Sequence, residues 1–338
     1  MKAIIAKLKN KENLQPEEIE EVMQVIMSGQ AEASDVGDFL LGLNAKGPTV
    51  DEIAGAARLL QKFAVPVTTR HEVILDTCGT GGDKKNTFNI STLVAIVVAA
   101  AGVAVAKHGN RSVSSRCGSA DILEAMGVNL ALEQQHLNEC LDQIGLAFLF
   151  AQKLHPAMKN VAPIRKKLGV ETIFNILGPL INPARATHQI MGVYSRELCE
   201  PIAHVLSKLD VQRALVVHGY DGMDEITTTG KTFISEWDGQ RVLSYDLDPK
   251  ELGLAYASEA DLIGGHLEQN LKIARAVLAG QPGPQRDIVV LNAAYALYLV
   301  KRVKNISDGI ALACECLDAG MADKKLDDLI KFTNQPFR

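Results

Sequence analysis

The residues best suited to chemistry gather in one stretch, Ile74 to Ser119, which reads I-L-D-T-C-G-T-G-G-D-K-K-N-T-F-N-I-S-T, then an apolar run, then K-H-G-N-R-S-V-S-S-R-C-G-S. Glycines at 79, 81 and 82 carry no Cβ and tolerate positive φ, so successive backbone N–H groups can turn inward on an anion. Ser91 and Thr92 present hydroxyls at the start of the helix that follows, where free N–H groups favour phosphate. Asp83 and Ser91 are hard oxygen donors and suggest a cation beside those phosphates. A second polar run, Lys107-His108-Gly109-Asn110-Arg111, offers a long-stemmed point charge in Lys107 and hydrogen-bonding groups for an acceptor substrate in His108 and Asn110. Ser115 and Ser119 suit phosphate contacts, Ser119 opening the next helix. Two adjacent acids, Asp224 and Glu225, follow the glycine-rich turn Gly219-Tyr-Asp-Gly-Met.

These groups need elements that bring them together. An apolar strand, Val73 to Leu75, runs into the first loop, a helix is expected over Thr92 to Ala101, and a strand over Val103 to Ala106 feeds the second loop. In an open parallel sheet both loops leave the carboxyl ends of strands and meet at one crevice. Neither the dinucleotide fingerprint G-x-G-x-x-G nor the Walker loop G-x-x-x-x-G-K-[ST] is written here, which narrows the ligand.

Residues 1 to about 70 read as helices alone: Gln15-Pro16-Glu17-Glu18 starts one, Val36, Phe39, Leu40 and Leu43 line another, and Thr49 with Glu52 forms a capping box for a third. From His71 strands and helices alternate, with strands expected over Leu146 to Phe150, His188 to Val193, Ala214 to His218, Thr232 to Glu236 and Val242 to Tyr245. Continuous apolar strands between helices imply an α/β fold with a mostly parallel central sheet, beside a smaller all-helical domain. His155-Pro156 opens a helix reaching Leu168, and helices are expected over Asp287 to Val300 and Ser307 to Ala319.

The chain has 338 residues, 47% hydrophobic and 22% charged, with a net charge of −5. That supports one large or two unequal domains and gives no nucleic-acid footprint. The longest apolar run, Leu93 to Ala106, is too short to span a bilayer, and a cytoplasmic protein is expected. Six cysteines show no C-x-x-C spacing and read as reduced, mostly buried thiols.

G-T-G-G-D, N-I-S-T, K-H-G-N-R, S-S and G-S-A-D-x-L-E, followed by H-P and A-P-I-R (His155 to Arg165), F-N-I-L-G-P-L-I-N-P-A (Phe174 to Ala184) and V-V-H-G…D-E-I-T (Val216 to Thr227), resemble anthranilate phosphoribosyltransferases along nearly the whole chain. The resemblance implies Mg²⁺-dependent transfer of phosphoribosyl from 5-phosphoribosyl 1-diphosphate to anthranilate. It implies donor contacts from Gly79, Gly82, Asp83, Thr87, Asn89, Ile90, Ser91, Thr92, Lys107, His108, Gly109, Asn110, Arg111, Ser112, Val113, Ser114, Ser115 and Ser119. Gly79, Asn110 and Arg165 would meet anthranilate, and Ser91, Asp224 and Glu225 would hold the metal. It further implies that residues 154–184 return to the helical domain of residues 1–70, that residues 71–153 and 185–338 form the donor-binding domain, and that a homodimer forms through the helical part. Anthranilate synthase components are further candidate partners, and His108 is a candidate general base.

Some positions depart from the pattern. Lys84 and Lys85 stand where a glycine and a small residue are common, Arg116 and Cys117 where Lys and Ser are common, and Met158 replaces an aromatic beside the acceptor. Two rival readings remain: a pyrimidine nucleoside phosphorylase, against which K-H-G-N-R and I-N-P-A speak, and a non-catalytic nucleic-acid-binding relative, against which the charge and the acid pair speak.

Overall fold

In the computed structural model, which describes residues 1–112 and 117–336, the chain opens with helices α1 (Lys2–Lys9), α2 (Pro16–Met27), α3 (Ala33–Lys46) and α4 (Val50–Phe63). Their apolar faces meet: Ile19, Met23, Ile26, Phe39, Leu40 and Leu43 are all fully enclosed. The capping box on α4 forms as its sequence requires, with the Glu52 N–H donating to Thr49 Oγ1 and the Thr49 N–H to Glu52 Oε2. Glu52 has a second task. Its carboxylate, wholly buried, accepts the Leu14 N–H at 2.8 Å and pairs with Lys46 at 2.8 Å, tying α2's approach to the ends of α3 and α4. Removing one partner of such a pair costs about 3–5 kcal/mol.

The sheet begins with β1 (Ile74–Asp76), and the chain continues through α5 (Ile90–Ala100), β2 (Ala104–Gly109), α6 (Ser119–Ala125), α7 (Gln134–Ile144) and β3 (Leu146–Phe150). A short helix α8 (Ala151–Leu154), a 3₁₀ turn over Pro156–Asn160, α9 (Ala162–Leu168) and α10 (Phe174–Leu180) follow before β4 (His188–Gly192). The rest is α11 (Cys199–Ser207), β5 (Arg213–Gly219), β6 (Thr232–Trp237), β7 (Val242–Leu247), α12 (Leu267–Leu278), α13 (Pro284–Leu299), α14 (Ile306–Asp318) and α15 (Met321–Thr333).

Strand order is β3-β2-β1-β4-β5-β6-β7, parallel from β3 to β5 and antiparallel over the β6–β7 edge. Strand residues alternate faces as the pleat demands. Ile190, Leu215 and Val217 join a core with α5 and α13, whereas Met191, Ala214 and Val216 join one with α11 and the N-terminal helices. The apolar sequence of α5 is explained by its place, for Leu93 to Ala99 are buried on every side.

Several expectations need correction. The helix expected from Thr92 starts at Ile90, because the Thr92 and Leu93 N–H groups already turn back to the Asn89 carbonyl. The strand expected to end at Ala106 runs on to Gly109, since β3 pairs with it residue by residue as far as Phe150. Lys107, His108 and Gly109 are therefore strand residues. The single helix expected from His155 to Leu168 is a 3₁₀ turn and a short α-helix, broken at Val161 before Pro163.

Three separated segments of the chain meet beside the exit from α4, where the Val65 N–H donates to the Leu154 carbonyl at 2.8 Å and the Val67 N–H to the Pro183 carbonyl at 3.0 Å.

Candidate active site

The order of strands reverses between β1 and β4, so their carboxyl ends part and leave the crevice where open sheets bind ligands. The glycine loop leaves β1 and arches across this gap. Thr80 donates its N–H to the Gly192 carbonyl at the end of β4, at 2.8 Å. Gly81, Gly82, Lys84 and Asn86 all adopt positive φ, between 54° and 84°. This winding suits the glycines and strains Lys84 and Asn86. Thr87 then bridges to Ile263, and Phe88 N–H bonds the Leu262 carbonyl at 3.1 Å, which fixes the far end of the loop.

The turn after β5 brings the acid pair beneath that loop. Asp224 Oδ2 accepts the Gly81 N–H at 2.8 Å. A Cβ on Gly79 would stand 3.1 Å from that same oxygen, and one on Gly192 would stand 1.6 Å from the Asp224 carbonyl oxygen, so the close approach requires a glycine at the end of β4. Asp83 faces Asp224 across the loop. Although both acids keep some surface, burial first and then the Asp83 charge push Asp224 up to about 7. Glu225 is driven well above the ordinary carboxylate range by burial and then by Asp224.

Lys107 supplies the counter-charge. Its ammonium, 3% exposed, donates to Ser91 Oγ at 3.2 Å and to the Thr77 carbonyl at 3.2 Å, and its field lowers Glu225. The Lys107 ammonium is thus anchored below the loop. Ser91 lies in the first turn of α5 and its N–H favours the charged form of Glu225. Asn89 Nδ2 holds the Cys117 carbonyl at 3.1 Å, while Asn89 Oδ1 and Thr92 Oγ1 are buried without a hydrogen-bond partner.

Beyond β2 the polar run folds back on α6. Asn110 is exposed, and its carbonyl accepts Ser119 Oγ at 3.3 Å and the Ala120 N–H at 3.2 Å. Arg111 pairs with Asp121 at 3.0 Å and Glu124 at 2.8 Å and lies over the Phe150 ring. The Ser112 N–H reaches Asp121 at 3.1 Å. A Cβ on Gly109 would meet Ser119 Oγ at 2.4 Å, which keeps β2 and α6 this close. Val113, Ser114 and Ser115 lie outside the described residues.

On the bundle side of the crevice, His155 packs its ring edgewise on His108, with the two Nε2 atoms 3.2 Å apart. Burial first, and then the neighbouring His155, lower His108 to about 3, and burial lowers His155 to about 4, so both are neutral near pH 7. A neutral His108 can orient an amine or accept a proton through one ring nitrogen. Arg165, half-buried, donates to Asn175 Oδ1 at 3.3 Å and stacks over Phe174 with 5.3 Å to the ring centroid.

Sequence reasoning overlooked Asp76 and Asn182. Asp76 is fully buried at the end of β1; it accepts the His108 N–H at 3.1 Å and Asn182 Nδ2 at 2.7 Å, and burial raises it to about 6. Asn182 also donates to the Ala106 carbonyl at 2.8 Å, so this pair clamps β1, β2 and the segment returning from α10. An acid closing an apolar strand was the available signal.

The site fits a hard cation. Asp83, Asp224 and Glu225 repel one another, a buried Asp83 oxygen lacks a partner, and the donors are carboxylate and hydroxyl oxygens. Among the described residues no three His, Cys, Asp or Glu side chains form a ready metal cage. Mg²⁺ keeps most of its water and takes one or two carboxylates together with substrate phosphates, so it needs fewer protein donors than such a cage provides.

A bundle joined to a switched parallel sheet, with a glycine loop over paired acids, defines a class: residues 2–64 match the glycosyl transferase family's helical bundle domain and residues 71–323 its a/b domain. The anthranilate phosphoribosyltransferase of Acetivibrio thermocellus is 49% identical over 99% of this chain and 97% of its own, and that of Moorella thermoacetica is 49% identical over 98% and 97%. Among solved structures, the anthranilate phosphoribosyltransferase of Thermus thermophilus superposes with a TM-score of 0.93 at 42% identity, covering 98% of this chain and 99% of that one. The Saccharomyces cerevisiae enzyme in complex with PRPP and Mg superposes at 0.91 with 28% identity, covering 98% and 97%. The chain belongs to the anthranilate phosphoribosyltransferase family. Neither rival reading is favoured by these relatives.

Proposed function

We propose that this chain transfers the 5-phosphoribosyl group of 5-phosphoribosyl 1-diphosphate to the amino group of anthranilate, giving N-(5-phosphoribosyl)anthranilate and diphosphate, through the residues gathered at the β1–β4 switch point. The observation that carries the reading is the approach of Asp224 to the Gly79 to Gly82 arch, with Asp83 and Glu225 beside it, at the switch point of the sheet. Ser91, Asp224 and Glu225 would hold Mg²⁺, which when bound offsets the charge of the departing diphosphate. Gly79, Gly82, Asp83, Asn89, Ile90, Ser91 and Thr92 would line the diphosphate, and Thr87, residues 107–115 and Ser119 the rest of the donor.

As the C1–O bond breaks, the ribose takes on oxocarbenium character and its leaving oxygens gain charge. Preorganised donors aimed at those oxygens are the main catalytic demand. Gly79, Asn110 and Arg165 would seat anthranilate, the Arg165 guanidinium gripping its carboxylate, and neutral His108 would orient the amine. An aromatic amine is nucleophilic when neutral, so positioning supplies much of the remaining rate.

The same reading assigns residues 1–70 and 154–184 to the helical domain and residues 71–153 and 185–338 to the donor-binding domain. The core that Val161, Ile173, Phe174 and Leu177 share with α1–α4 supports it. It places the protein in the cytoplasm as a homodimer joined through that bundle, with anthranilate synthase components as further partners. Among the described residues no helix is long and apolar enough to cross a membrane.

The test follows anthranilate fluorescence with donor and Mg²⁺. Asp224→Ala combined with Glu225→Ala should abolish turnover while leaving the fold intact by circular dichroism. Unchanged Mg²⁺-dependent activity in that variant would refute the metal assignment.

A further inference from the structure

We propose that Asn292, inside α13, is a positioning residue for the acid pair and sets how tightly the chain takes up a divalent cation together with its diphosphate donor; the proposal rests on the transferase reading above. Asn292 is 1% exposed and lies 66 residues from the turn it serves. Its Oδ1 accepts the Ile226 N–H at 3.1 Å, and its Nδ2 donates to the Ile226 carbonyl at 2.8 Å and to the Ile288 carbonyl at 2.8 Å. The carboxamide thus engages both backbone groups of one residue as a strand neighbour would, and the bond to its own helix fixes the amide plane. Aspartate lacks the donors and leucine lacks both functions.

Ile226 immediately follows Glu225. At the other end of the turn the Gly219 N–H holds the Met223 carbonyl at 2.8 Å, and Asp221 accepts the Met223 N–H at 2.9 Å. Asp224 and Glu225 therefore hang between two fixed points. Asn292 and Glu225 also line one small cavity with Thr77, Gly79, Ser91 and Gly192, so the clasp sits directly behind the proposed cation ligands. Holding the carboxylates together in the folded chain moves the cost of convergence from binding to folding, which is what a supporting residue does for a metal site.

The experiment compares wild type with Asn292→Ala, Asn292→Ser and a control in the same helix core, Val290→Ala. Uptake of Mn²⁺ in the presence of 5-phosphoribosyl 1-diphosphate is read by electron paramagnetic resonance, stability by urea unfolding, and KM for each substrate by fluorescence. The Asn292 variants are expected to take up Mn²⁺ at least about tenfold more weakly and to raise KM for the donor, with KM for anthranilate unchanged. Val290→Ala loses stability and keeps wild-type uptake. Asn292 variants that lose stability with unaltered Mn²⁺ uptake overturn the proposal and leave the transferase reading standing. A wild-type chain that takes up no Mn²⁺ with the donor overturns both. Hydrogen exchange on the wild type is a check independent of the variants: the Ile226 amide is expected to exchange as slowly as those of β5, and fast exchange there overturns the clasp.

Discussion

Arg165 illustrates how far residue types speak for themselves. A surface arginine on a helix is ordinarily solvated, yet this one is half-buried, stacked on Phe174 and aimed by Asn175, and burial lowers its pKa. A guanidinium fixed in that way presents a fork that lysine cannot reproduce. Arg165→Lys should raise KM for anthranilate about ten- to hundredfold, the worth of a charge-assisted bidentate pair, and leave KM for the donor near wild type; steady-state fluorescence checks it. The histidine pair makes a second prediction at this scale. His108 and His155 have folded pKa values depressed to about 3 and about 4, so an unfolded chain binds protons that the folded chain refuses below the ordinary histidine value of about 6.5. Their contribution is whole above pH 6.5 and is lost as pH falls toward 4 and then 3. Asp76, raised to about 6, acts in the opposite sense, its contribution lost as pH rises through that value. The difference between proteins isolates the imidazole: His155→Asn should lose less stability than wild type between pH 6.5 and 4 in urea unfolding. The types of Asp83, Ser91, Asp224 and Glu225 were legible from sequence. The burial of Lys107 and the pairing of His108 with His155 were not, because both depend on the residue-by-residue pairing of β2 with β3 and on a segment from the bundle.

Among the elements, the parallel strands were easy to read, since β4 and β5 are buried on both faces and carry apolar runs, Ile190-Met191 and Ala214 to Val217, between polar ends. Their ends were harder. A strand stops where its partner stops, and nothing in K-H-G states that β3 continues alongside. Gly192 shows the same limit. Its φ is ordinary and nothing local demands glycine; the demand comes from the Asp224 carbonyl oxygen, 1.6 Å from where a Cβ would stand. Gly192→Ala should therefore push the acid turn off β4. Since a displacement of about 1 Å in a reacting assembly costs on the order of a hundredfold, turnover should fall at least that much while the far-ultraviolet spectrum holds. Normal turnover in this variant would mean that the turn can move without consequence.

At the scale of the whole molecule, the two-part architecture was visible as a change from purely helical to alternating pattern near residue 71, and residues 71–323 match the a/b domain. The proposed return of residues 154–184 to the bundle carries no local mark in the sequence and rests on resemblance. Leu41 on α3 remains 44% exposed, a large apolar side chain on the bundle's outer surface. If the bundle pairs two copies, Leu41→Glu should shift sedimentation from dimer toward monomer with helicity retained. Sedimentation as a monomer by the wild-type chain would count against the pairing.

The triple passage of the chain near Val65, Leu154 and Pro183 bears on how the protein can be taken apart. On the proposed division the bundle is assembled from separated stretches of sequence, so it cannot be excised as one continuous fragment. A protease nick in any one of these links divides the chain into two fragments held by the buried cores alone, so the nicked protein should migrate intact under native conditions and separate only once denatured.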